Sequence, residues 1–60
     1  MAQCKERNGD VWEIYSTPTG WRWRLTAPNG RVVGASTQAY ANRGDCIANA
    51  QRNGMTCTPR

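Results

Sequence analysis

Two stretches of the chain alternate strictly between apolar and polar residues. In residues 11–15, VWEIY, Trp12 and Ile14 share one parity while Val11, Glu13 and Tyr15 share the other. In residues 21–27, Trp21, Trp23, Leu25 and Ala27 alternate with Arg22, Arg24 and Thr26. Successive side chains of a strand point to opposite sheet faces, so each stretch predicts a half-buried strand. The tryptophans are thereby assigned to a core and the arginines to the face opposite. Between the two strands, STPTG holds Pro18 and Gly20 as breakers and has the length of a hairpin loop.

Pro28-Asn29-Gly30 joins the second strand to a third. A two-residue Asn29-Gly30 turn would need a backbone hydrogen bond from Pro28, which has no N–H. A three-residue loop avoids this, with Pro28 at the first central position of a type I turn and Gly30 as the left-handed residue of a bulge. The register that follows sets Ala27 opposite Arg31, Leu25 opposite Val33 and Trp23 opposite Ala35. On the other face Thr26 meets Val32, Arg24 meets Gly34 and Arg22 meets Ser36. The third strand then covers residues 31–36.

Beyond TQAYA, Asn42 is the expected N-cap of a helix, with Asp45 as an imperfect capping-box partner and Gly54 as the stop. Cys46, Ile47 and Ala50 form its narrow apolar stripe, set to pack over Trp12, Ile14, Trp21, Trp23 and Leu25. Gly44, Asn49 and Asn53 are weak helix formers, so packing must hold this helix. Residues 1–10 read as a loose polar lead-in ending in a turn, and residues 55–60 as an irregular tail. No internal repeat is visible. The expected architecture is one α+β domain over residues 1–60, a three-stranded antiparallel sheet with one helix packed on one face.

Sixty residues make a small core. A folded chain of this mass keeps roughly 3,900 Å² of surface, and its burial gain about cancels the cost of ordering it, so an extra staple is expected. The absence of histidine excludes every histidine-containing zinc site. Cys4, Cys46 and Cys57 include no C-x-x-C pair and make a poor metal set; an odd number also argues against a closed disulfide framework. Neither a metal nor another cofactor is implied. With no apolar leader after Met1 and no run of membrane-spanning length, the expectation is a cytoplasmic protein with reduced thiols and no membrane partner. Self-association as a homodimer is the remaining staple.

The order of elements and the residues that carry it resemble the YegP-like family of small microbial proteins. The matching pattern is WEIY, then GWRWRLTAPNGRVVGAS from Gly20 to Ser36, then Tyr40 and a short helix with Cys46 near its start. The resemblance covers about residues 11–54 and implies a three-stranded antiparallel sheet with one helix. Longer relatives carry two such units about a pseudo-twofold axis, and single-copy relatives are expected to form homodimers. The family has no established activity, so it transfers no site residue. The polar, glycine-containing helix and the Cys57 tail depart from its pattern.

Eight Lys and Arg against four Asp and Glu give a net charge of +4, with the basic residues spread along the whole chain. That permits attraction to anionic partners without the clustering of a nucleic-acid arm. Arg22 and Arg24 are the leading candidates for function, with Arg31 beside them and Tyr15 on the same side by parity. They read first as a solvated face with Glu13 as cross-strand partner, and second as a surface for an acidic protein or for phosphates. Trp12, Trp21 and Trp23 would suit a base-stacking platform only if exposed, and their parity places them in the core. Cys46 reads as a small buried hydrophobe. Cys4 and Cys57 lie in the terminal segments, with their pairing left open. Arg43-Gly44-Asp45, an adhesion-like tripeptide, is taken as chance. No histidine base and no paired carboxylates are available, so catalysis is not expected. The reading is a non-catalytic homodimeric interaction module for an acidic protein surface, with a nucleic-acid-binding accessory protein as the alternative.

Overall fold

A computed structural model describes residues 2–60. The alternating stretches form the centre of its sheet, β2 (Val11–Thr17) and β3 (Gly20–Thr26), paired antiparallel with Trp12 opposite Leu25 and Ile14 opposite Trp23. Including β1 (Ala2–Lys5) and β4 (Val32–Ala35), the strands follow the order β1-β2-β3-β4, and α1 (Arg43–Arg52) comes last.

The sheet is therefore four-stranded rather than three-stranded, because the expected loose lead-in pairs as β1. Ala2 and Cys4 lie opposite Ile14 and Trp12, adding two small side chains to the core parity. A turn closes the hairpin, with Glu6 N–H donating to Asp10 O and Gly9 N–H to Glu6 O. The far end of the chain completes the strand. Gln3 and Arg60 exchange backbone hydrogen bonds of 3.1 Å each way, and Cys4 is disulfide-bonded to Cys57. The expectation of reduced thiols without a framework is thus corrected: two cysteines pair and Cys46 alone is free.

The three-residue loop forms as expected, with Thr26 opposite Val32 and Ala27 N–H bonded to Arg31 O. The register beyond it differs by one residue. A bulge sets Leu25 opposite Gly34 and Arg24 opposite Ala35, leaving Val33 as the extra residue. The slip brings Gly34 over the core side of β3, where a Cβ would meet Leu25 Cβ at 3.6 Å and Trp23 Cζ3 at 3.7 Å, ordinary contact distances. Val33 turns outward, 58% exposed. Ser36 then bonds Trp23, by N–H to Trp23 O and by accepting Trp23 N–H at Oγ.

The helix packs on β2 and β3. Trp12, Ile14 and Trp23 from the sheet meet Cys46 and Ala50 from α1, and Ala2 and Met55 belong to the same buried cluster. The Trp12 and Trp23 rings are tilted with centroids 5.2 Å apart. Asn49, a weak helix former, has a packing role here: its Oδ1 accepts the Trp23 indole N–H at 2.8 Å. Asn42 is the N-cap by position, but its amide donates to Asp45 instead of capping the helix. At the other end Gly54 N–H bonds Gln51 O and Met55 N–H bonds Ala50 O, a Schellman-type stop. The accessible surface of 4031 Å² agrees with the roughly 3,900 Å² expected from mass alone. No helix among the described residues is long and apolar enough to cross a membrane.

Candidate functional site

With α1 on one face, the sheet presents the other parity uncovered. Val11, Glu13 and Tyr15 of β2 lie there beside Thr26, Arg24 and Arg22 of β3, in register as cross-strand pairs. All six are half-buried. Val32 joins them opposite Thr26 and is 58% exposed.

The two arginines differ in what they have left to offer. Arg24 makes a two-pronged ion pair with Glu13, Nη2 to Oε2 at 3.0 Å and Nε to Oε1 at 3.3 Å. Its guanidinium also lies 5.4 Å from the Tyr15 ring centroid, within cation–π range. The hydrogen bonds that Arg24 donates to Glu13, then the charge of that carboxylate, hold the Arg24 pKa above its ordinary value. Arg22 makes no ion pair among the described residues and stands directly across from Tyr15. The face therefore carries a neutralised pair, an aromatic ring and one uncompensated cation. Arg31 lies in the β3–β4 loop, exposed, with its backbone tied to Ala27 and Asn29. It sits outside the strand positions that place Tyr15, Arg22 and Arg24 together.

The core side offers little chemistry. Trp12 and Trp23 are 2% and 4% exposed, which removes them as a stacking platform. Burial pushes the Cys46 thiol pKa up, against a smaller opposing pull from the Arg43 charge, so the free cysteine is a poor nucleophile. Arg43, Gly44 and Asp45 are exposed in the first turn of α1.

A residue that the sequence left unremarked is the most heavily bonded carboxylate. Glu6 accepts the hydroxyl of Thr56 and the backbone N–H groups of Thr56 and Cys57. The Thr56 hydroxyl, followed by the Thr56 N–H, lowers its pKa below the ordinary carboxylate value. The Trp12 indole N–H adds a weaker pull from nearby; it is buried and reaches no hydrogen-bond partner. No local pattern signals this role, since both donor residues come from the opposite end of the chain. A cleft of about 440 Å³ opens beside it, between the β1–β2 turn and the end of α1, with Trp12, Leu25 and Thr56 in its walls. A second of about 480 Å³ runs past Tyr40, Asn49 and Arg52. Tyr15, Arg22, Arg24 and Arg31 line neither.

A family model described as a domain of unknown function (DUF1508) matches residues 16–56, well over half of the chain. No curated protein and no solved structure matches it.

Proposed function

The chain belongs to the DUF1508 family, and we propose that it is a YegP-like, non-catalytic interaction module whose uncovered sheet face binds an acidic protein surface. The supporting observation is Arg22, a half-buried cation without a carboxylate partner, set against Tyr15 and the Arg24–Glu13 pair. A carboxylate arriving there gains a charge-assisted hydrogen bond from Arg22 and contact with the tyrosine ring. Arg24 stays committed to Glu13 and supplies shape more than charge.

Anisotropy titration with an oligo-glutamate peptide and with a mixed-sequence single-stranded oligonucleotide, each at two salt concentrations, tests the reading. Binding of the peptide that weakens in Arg22→Ala supports it. Binding of the oligonucleotide alone, with a steep salt dependence, replaces it with the nucleic-acid alternative. Unchanged peptide binding in the variant removes it.

The module works as a homodimer in this reading, supported by the exposed Val32 and Val33 of an edge strand. The disulfide weakens the argument from stability, because it supplies the staple that self-association was expected to provide. Light scattering at micromolar concentration should give twice the chain mass; a monomer there ends the dimer. A cytoplasmic setting belongs to the same reading, and the cysteines report on it. Rapid alkylation in intact cells tests it: Cys4 and Cys57 trapped as thiols would support a reducing compartment, and the Cys4–Cys57 bond found intact would place the protein in an oxidising one.

A further inference from the structure

Three separate ties converge on the last residues of the chain. Cys57 is bonded to Cys4. Glu6 holds Thr56 and Cys57 by hydrogen bonds. Gln3 and Arg60 exchange backbone bonds. Together they lay the tail along the outer edge of β1, whose inner edge pairs with β2.

These ties are unequal. Only the disulfide is covalent, and the Glu6–Thr56 bonds lie exposed, where water competes for both partners. Pro59 is the one residue of 56–60 that is buried. Neither that segment nor Gln3 to Lys5 supplies a member of the buried group Trp12, Ile14, Trp23, Cys46 and Ala50; only the two bonded cysteines, Cys4 and Cys57, pack against it, as partly buried neighbours. Cys4 and Cys57 are themselves half-buried, within reach of a small reductant, while Cys46 is not.

We propose that the Cys4–Cys57 bond is a redox-operated strap: when it is reduced, residues 56–60 leave the edge of β1 while the Trp12–Trp23 core stays folded. A dithiol performs the step. Its thiolate attacks one sulfur of the pair, the mixed disulfide is resolved by its second thiol, and two electrons and two protons pass to the protein. The products are the Cys4 and Cys57 thiols and the cyclic disulfide of the reductant. Release leaves the outer backbone groups of β1 unpaired, a template on which a further strand can add. It also withdraws Thr56 from the wall of the cleft beside Trp12. The oxidised form has that edge closed; the reduced form offers it, with two thiols.

Native-state hydrogen exchange with and without dithiothreitol tests the strap. The amides of Gln3, Thr56, Cys57 and Arg60 report on the tail; those of Trp21, Ser36 and Tyr40, bonded within the sheet, report on the body. Reduction should speed exchange at the first group by roughly tenfold or more and leave the second unchanged, the signature of local opening. A variant carrying Cys4→Ser and Cys57→Ser should match the reduced protein without any reductant. Tail amides that keep their rates would overturn the proposal, and so would loss of protection at both groups together.

Discussion

Trp23→Phe tests the division of labour between the two faces of β3. The indole N–H donates to Asn49 Oδ1 at 2.8 Å, and its loss leaves a half-buried acceptor that water only partly serves, at about 1 kcal/mol. The smaller ring also draws back from Trp12, whose centroid lies 5.2 Å away. Lost apolar contact and the void left behind add about 1–2 kcal/mol. The sum of about 2–3 kcal/mol is large against a total stability of roughly 3–9 kcal/mol for a chain this short. At about 4–8 °C per kcal/mol, the thermal midpoint should fall by about 10–20 °C. Arg22→Ala, one residue away on the other face, breaks no ion pair and should cost no more than about 0.5 kcal/mol. Melts of both variants by far-UV circular dichroism, with the disulfide intact, make the comparison. Equal shifts in the two, or a larger one in Arg22→Ala, would refute the reasoning.

Four further outcomes follow from the same structure. Gly20→Ala should cost roughly 1–3 kcal/mol, since φ there is +136° and a Cβ would come within 2.7 Å of Tyr40 O; faster amide exchange at Tyr40 would show the bridge to Trp21 loosened. Gly34→Ala should instead stabilise by about 0.4–1 kcal/mol in denaturant titrations, because its Cβ meets Leu25 and Trp23 at ordinary contact distance. Because the folded pKa of Glu6 lies below its ordinary 4.5, its contribution is fully present above that value and lost as pH falls through the lowered one; melts taken from neutral into acid should lose midpoint there, and Glu6→Gln should flatten that slope. Cys46, buried with a raised thiol pKa, should resist alkylation at mildly alkaline pH in the folded protein and react once denatured, as mass spectrometry would show.

The parts of the fold written in nearest-neighbour pattern were legible in the sequence. Alternation located β2 and β3 and sorted Trp12, Trp23 and Arg24 to their faces, because a strand's parity is local. The missing N–H of Pro28 located the loop, and the pair Thr26–Val32 formed as the turn chemistry requires. The bulge was not legible, since local alternation does not say which of Val32, Val33 and Gly34 is left without a partner on β3. Nor was β1. Its four residues carry two small core-facing side chains, and what holds them in place lies at Thr56, Cys57 and Arg60. On the uncovered face, the pattern named Glu13, Tyr15, Arg22 and Arg24, yet only coordinates tell which arginine is already paired.

The most direct measurement is a two-dimensional nitrogen–proton correlation spectrum of the protein titrated with the oligo-glutamate peptide. The backbone amides of Tyr15 and Arg22 should move first, while the indole N–H signals of Trp12 and Trp23 hold their positions. Indole signals that lead the titration, with Arg22 unmoved, would contradict the assignment of one face to the core and the other to a partner.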